Sequence, residues 1–310
     1  MKKFKNVAGL LVAFLAVMFF GSGMTIPVNA EEVPAYRIGV TPTQQAFPEL
    51  KPGEEYQGSF KVRNTGSQEL DFEISFSPYS ISDEAYNPNF NNTSSYTSLK
   101  DWISVEESFG HVNAGQEQEI KYTIKVPEDA HGGTQMAAIM ATAKNASNSS
   151  GSTAVETVKQ VAYLVYGNVD GEIKKSGLIL ENKIPTFFFS PPITVTSVVE
   201  NTGNIYAAAE YKLQVFPLFS DEEVYTNEEE PEKNMVFPDT KRMHQISWDG
   251  APQLGIFKVK QTVKIFDEES VVEKMVFLCP IWFIFIVLAI VFCIIFWLIS
   301  RIIRRKHDAE

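Results

Sequence analysis

The chain has 310 residues, 45% of them hydrophobic, and a formal net charge of −11. That length suits one large or two ordinary domains, and that sign argues against a nucleic-acid or anionic-membrane partner. Its two cysteines, Cys279 and Cys293, both fall in an apolar run near the C-terminus, so the long segment before it has no disulfide and must rest on a hydrophobic core.

The N-terminus reads as a secretory signal over 1–30. Lys2, Lys3 and Lys5 precede the apolar run Val7 to Phe20, and Val28-Asn29-Ala30 suits cleavage after Ala30. An uncleaved anchor is the alternative. From 31 onward no long stretch has a helical period, whereas alternation at period two recurs. Phe60 and Val62 alternate with Ser59 and Lys61. Leu70, Phe72, Ile74 and Phe76 alternate with Asp71, Glu73, Ser75 and Ser77, and Ile120, Tyr122, Ile124 and Val126 with lysines and Thr123. One apolar and one polar face per strand is what two sheets packed face to face require.

Between these strands, Ser77 to Lys100 is long and lacks alternation. It carries Tyr79, Tyr86, Phe90 and Tyr96 among Asn, Ser and Pro. Long segments of this kind tend to be functional or disordered. Its spaced aromatics could stack on sugar rings while the amides bond their hydroxyls, which makes these four the candidate glycan-binding residues. The competing reading packs them over a sandwich edge. Thr134 to Ala143 reads as a further strand, and Ala146 to Thr153 as a flexible hairpin tip.

The strand-and-turn form Phe60 to Asn64-Thr65-Gly66 recurs as Ser197 to Asn201-Thr202-Gly203. This weak repeat predicts an all-β chain of two tandem Ig-like sandwiches, 31–168 and 169–274, with one large sandwich as the alternative. The boundary falls near Asn168 to Lys175. Phe187-Phe188-Phe189 places aromatics on both faces of a strand and marks a candidate partner-docking surface or inter-domain contact. Strands with alternating faces continue through Ile193 to Val199, Tyr211 to Val215 and Phe257 to Ile265, with an acidic loop at Asp221 to Glu232.

Met275 to Ile299 contains no charge and is followed by Arg301, Arg304, Arg305 and Lys306. This reads as a transmembrane helix over 275–299 with a basic tail at 300–310, N-terminus outside and C-terminus cytoplasmic. A buried core helix is the alternative. Phe237-Pro238-Asp239-Thr240 is similar to a sortase signal, but Lys241 replaces the glycine such a signal needs.

Chemistry is sparse. His111, His131 and His244 stand apart, without metal-ligand spacing, and no nucleophile elbow or P-loop is present. Glu106 and Glu107, or Glu228 to Glu230, could supply paired carboxylates, yet adjacent loop acids are usually solvated charge. The expectation is a non-enzyme with no cofactor and no metal.

Leu50-Lys51-Pro52-Gly53, the Asn-Thr-Gly turn, Asp101-Trp102-Ile103, and Lys121 to Pro127 followed by Gly132-Gly133 resemble the first domain of WxL-interacting surface proteins of Gram-positive bacteria. Phe237 to Arg242, Trp248, Leu254-Gly255-Ile256-Phe257 and Cys279-Pro280 resemble the second domain and anchor of similar proteins. The resemblance covers nearly the whole chain. It implies peptidoglycan binding by the first domain and host or partner-protein binding by the second, and it assigns no binding residue. The sequence thus predicts a membrane-anchored, non-catalytic surface protein that binds cell-wall glycan, another surface protein, or both. A structural spacer or assembly partner is the first rival, and a cell-wall hydrolase the second.

Overall fold

The computed structural model describes residues 36–144 and 159–307. The expected signal segment 1–30 and the expected hairpin tip 146–153 lie outside the described residues. The chain is mostly β, built of packed sheets, and it ends in one long apolar helix.

The first half contains β1 (Ile38–Thr41), β2 (Gln44–Leu50), β3 (Glu55–Asn64), β4 (Leu70–Pro78), β5 (Ser80–Ile81), β6 (Pro88–Asn89), a short helix α1 (Leu99–Trp102), β7 (Ile103–Val105), β8 (Phe109–Val112), β9 (Glu117–Lys125), β10 (Gly133–Ala143) and β11 (Gln160–Val169). Sheet β1-β3-β9-β7 faces sheet β2-β11-β10-β4-β8. Alternation delivers Phe60 and Val62 from β3, Ile120, Tyr122 and Ile124 from β9, and Leu70, Phe72 and Ile74 from β4 to one shared core. Phe60 stacks on Tyr163 at 4.5 Å between centroids. Strand β10 departs from alternation and is buried almost throughout. Its Ala137, Ile139 and Ala141 enter this core, while Met136, Ala138 and Met140 point the other way into a separate cluster. A strand covered on both faces reads as a continuous apolar run.

The second half contains β12 (Gly177–Lys183), β13 (Phe187–Phe188), β14 (Ile193–Asn201), β15 (Ala207–Ala208), β16 (Glu210–Pro217), β17 (Tyr225–Glu228), β18 (Met235–Val236), β19 (Thr240–Trp248), β20 (Gly255–Ile265) and β21 (Glu268–Leu278), followed by helix α2 (Ile281–His307). Sheet β12-β14-β19 packs on sheet β13-β21-β20-β16-β17. The apolar interior here is split. One cluster holds Ile193, Leu213, Trp248, Val259 and Leu278, and the other holds Val199, Tyr211, Val236, Val263 and Ile265. Between them lies a polar layer. Ser197 and Gln261 are fully buried, and Ser197 pairs with His244 across β14 and β19. Among the described residues, Ser197 Oγ, the Gln261 side-chain amide and Asn182 Oδ1 have no hydrogen-bond partner.

The Asn-Thr-Gly repeat is a matched pair of internal staples. Asn64 donates from Nδ2 to the carbonyls of Gln68 (2.7 Å) and Val112 (3.0 Å), and its Oδ1 accepts the Gly66 N–H at 3.0 Å. Asn201 does the same with Ile205 (2.7 Å), Val236 (2.8 Å) and the Gly203 N–H (2.9 Å). Both asparagines are buried.

The apolar run expected to span from Met275 divides differently. Met275 to Leu278 complete β21, with Val276 and Leu278 inside the sandwich core. The long apolar stretch of α2 is Ile281–Ile299, 19 residues with mean hydropathy 3.2. At 1.5 Å per residue it is about 28 Å long, close to the hydrocarbon thickness of a bilayer. The correction has a simple cause: hydropathy cannot separate a buried strand from the apolar helix that follows it. The helix also continues past 300 to His307, so the basic tail begins as helix.

Candidate functional site

The segment between β4 and α1 is organised by a few local bonds. The β5–β6 hairpin closes it, and the Asp83 carboxylate accepts from the Asn87 backbone (3.3 Å) and side chain (2.8 Å), which holds Asp83 below its usual carboxylate range. Gln135 of β10 pins the return. Its Nε2 donates to the Ser95 carbonyl at 2.9 Å and its Oε1 accepts the Ser98 N–H at 3.0 Å. At the tip, Tyr86 has φ of 67°. For a bulky residue that left-handed conformation costs roughly 1–2 kcal/mol and persists only where its surroundings enforce it.

What enforces it is the second half of the chain. The Tyr86 hydroxyl accepts the Phe237 N–H at 2.6 Å and lies 2.9 Å from Thr240 Oγ1. Phe237 stacks on the Tyr86 ring at 6.2 Å and 13°, and the Arg242 guanidinium sits 4.5 Å from that ring's centroid. Phe237 also meets Tyr79 at 5.7 Å and Tyr166 at 5.1 Å, both edge-on. Met136, Ala138 and Met140 of β10 form the floor, with Phe90, Tyr96 and Tyr206 half-buried around it. Burial pushes the Tyr79, Tyr86 and Tyr166 hydroxyls up, so all three stay neutral. Tyr96 is raised by burial and then by the Asp239 carboxylate.

Backbone bonds extend the contact. The Met243 N–H donates to the Glu84 carbonyl at 2.7 Å, and the Thr134 N–H to the Asn204 carbonyl at 2.7 Å. The Tyr206 N–H donates to Thr134 Oγ1 at 2.6 Å. Gly132 and Gly133 permit this approach: a Cβ on Gly133, whose φ is 124°, would stand 2.6 Å from the Asn204 carbonyl oxygen.

Tyr79, Tyr86, Phe90 and Tyr96, the candidates for sugar stacking, all lie at this junction. The four are brought together, but Tyr79 is only 6% exposed and Phe237 and Arg242 pack on the Tyr86 ring. Their partners are side chains of the same chain. The residues missed by sequence reasoning are Phe237, Tyr166, Tyr206 and Asn204. The unbroken apolar run of β10 was the available signal that its second face is covered.

Phe187, Phe188 and Phe189 do not lie at this junction. Phe188 packs against the core of the second half, Phe187 stacks on Phe277 at 5.2 Å, and both Phe187 and Phe189 are exposed. They stand beside the start of α2, because β13 pairs with the last two residues of β21. The contact between the two halves is made by the cluster around Phe237.

The titratable candidates are scattered. Glu228 pairs with Lys212, Glu230 with Lys233, and Glu229 Oε2 lies 3.0 Å from His244 Nε2, at ion-pair distance but without hydrogen-bond alignment. Glu106 and Glu107 are exposed. His111 Nδ1 meets Asp71 at 2.7 Å in a shallow cleft with Phe109, Gln118 and Lys144. Among the described residues no group of three or more His, Cys, Asp or Glu could hold a metal ion.

The fold and site together define a β-sandwich protein with an aromatic junction and a long apolar C-terminal helix. No family model and no curated protein matches the chain. Among solved structures it is similar to a chain of the chaperone–tip adhesin complex of CFA/I fimbriae, at 12% identity and a TM-score of 0.38, over 77% of this chain and 98% of that one. It is similar to the class 5 fimbriae chaperone CfaA at 13% identity and 0.37, over 77% and 99%. A chain of the Salmonella enterica SafA pilin–SafB chaperone complex matches at 11% and 0.37, over 78% and 97%. At these values the likeness identifies neither a family nor a partner.

Proposed function

We propose that this chain is a membrane-anchored, non-catalytic surface protein. Its two Ig-like sandwich domains, reaching to Val169 and from Gly177 to Leu278, are locked into one stiff arm that holds or helps assemble another surface protein. Its span is Ile281–Ile299, with the basic C-terminal end in the cytoplasm. The observation that carries the reading is the junction. A strained tyrosine, six further aromatic residues and six inter-half hydrogen bonds fix one half against the other. Fixing that angle serves a protein that must present its outer half at a set height and orientation. A glycan-binding loop would need those rings free.

The test is a distance distribution between spin labels on the two halves of the full chain in nanodiscs. The parent protein gives a narrow distribution, and Tyr86→Phe combined with Phe237→Ala broadens it. A broad distribution in the parent would sink the stiff-arm reading. Cross-linking in native membranes should then capture a second surface protein through the parent and not through the loosened variant.

A cell-wall glycan role is favoured at one other place. Phe109, 64% exposed, stands in the cleft with His111, Gln118 and Lys144, an apolar platform flanked by hydrogen-bonding groups. Retention of the full chain on purified peptidoglycan, lost on Phe109→Ala, would support it; equal retention of both would not.

A further inference from the structure

We propose that the end of the second half from which α2 departs is a membrane-contact surface, seated in the headgroup layer of the bilayer that Ile281–Ile299 enters. The inference rests on the reading of that helix as a span. Strand β21 ends at Leu278 and α2 starts at Ile281, so Cys279 and Pro280 are the whole connection. Three residue steps reach at most about 10 Å. The interfacial layer on each side of the hydrocarbon core is about 5–8 Å deep. The end of the sandwich therefore lies in the headgroup layer or within about 5 Å of it.

Register places three loops at that end. Gly255 pairs with Leu278, Pro217 with Phe257, and Ile193 with Trp248. The loops after β13, after β16 and after β19 thus all turn beside the helix. They and their flanks carry exposed apolar side chains: Phe187 (64%), Phe189 (56%), Leu218, Phe219 (96%), Leu254 and Ile256. Side chains of this size are rarely left in water together, and aromatic rings favour the membrane interface. Trp282, in the first turn of α2 and exposed, continues the same belt. The junction with the first half is at the opposite end, where Gly177 pairs with Asn201 and Asn201 with Thr240. The occupant is thus lipid rather than the other half of the chain. Apolar insertion, not charge, supplies the contact, since Asp221, Glu222 and Glu223 follow Phe219 after Ser220.

The test uses the full chain in phosphatidylcholine vesicles, on a Cys279→Ser, Cys293→Ser background, with an environment-sensitive fluorophore at Phe219→Cys. Phe109→Cys, on the first half, is the water control and Val291→Cys, in mid-helix, reports the span. The expected result is a blue shift at 219 and quenching by lipid spin-labelled at the headgroup. Position 109 shows neither, and 291 is quenched by lipid labelled deep in its acyl chain. Leu254→Cys, on a separate hairpin, must behave as 219 does. If 291 is quenched while 219 and 254 match 109, the span stands and the contact surface is refuted. If 291 is not quenched, the span fails and the surface fails with it.

Discussion

Replacing Asn201 by alanine removes three bonds at once from a fully buried site. The carbonyls of Ile205 and Val236 lose a donor and the Gly203 N–H loses its acceptor. A buried hydrogen bond contributes about 1 kcal/mol net, and a buried group left without a partner costs about 1–3 kcal/mol. With partial relaxation the loss is about 3–5 kcal/mol, a large fraction of the roughly 5–15 kcal/mol that holds an ordinary domain together. At a urea dependence of about 2–3 kcal/mol per molar, the unfolding midpoint falls by about 1–2 M. The assay is urea unfolding of the full chain in detergent micelles, followed through Trp248, which is buried in the same half. Asn201→Asp should be at least as damaging, because it turns an acceptor toward two carbonyls. The control is Thr202→Val, which gives up one part-buried contact with Ser176 and should cost under about 1 kcal/mol. If Asn201→Ala shifts the midpoint no further than that control, the staple does not hold the second half. Asn64→Ala should repeat the result in the first half.

Three further outcomes follow from the same geometry. Tyr86→Phe leaves the Phe237 N–H without its acceptor and should lower stability by about 1–3 kcal/mol, read as faster amide exchange at Phe237 and Met243 with exchange in the first-half core unchanged. Gly133→Ala forces a Cβ against the Asn204 carbonyl at an unfavourable φ; it should raise proteolysis in the 170–176 connection while each half keeps its far-ultraviolet circular dichroism. Burial holds the His244 imidazole below its ordinary value of 6.5, against the opposing pull of Glu229. The unfolded chain then takes up a proton that the folded one refuses, so stability is intact above about pH 6.5 and falls as pH drops below it. His244→Phe should flatten that part of a melting-temperature profile, and an unchanged slope would refute the assignment.

Much of the strand framework was legible because alternation survives wherever one face is wet. It failed at β10, whose Met136, Ala138 and Met140 are covered by residues far along the chain. It failed again at Met275 to Leu278, where a core strand runs into an apolar helix and the hydropathy of Val276 and Leu278 carries no mark of which they serve. The aromatic segment was legible as unusual but not as a junction. Tyr86 binds the backbone at Phe237, 151 residues along the chain, and composition holds no record of so distant a partner. The Asn-Thr-Gly repeat was visible as a turn; its asparagines act on Val112 and Val236, which no local pattern ties to them.

The two connections of the second half leave from opposite ends: toward the first half through Gly177, toward the helix through Leu278. A pull on the first half therefore runs lengthwise through the strands. Inter-strand bonds lie across that direction, so the eleven paired positions of β20 and β21 bear the load together in shear instead of opening one by one like a zipper. The fold is oriented to resist a lengthwise pull between the first half and α2, and the two residues Cys279 and Pro280 are the whole path by which that force passes from the sandwich to the helix.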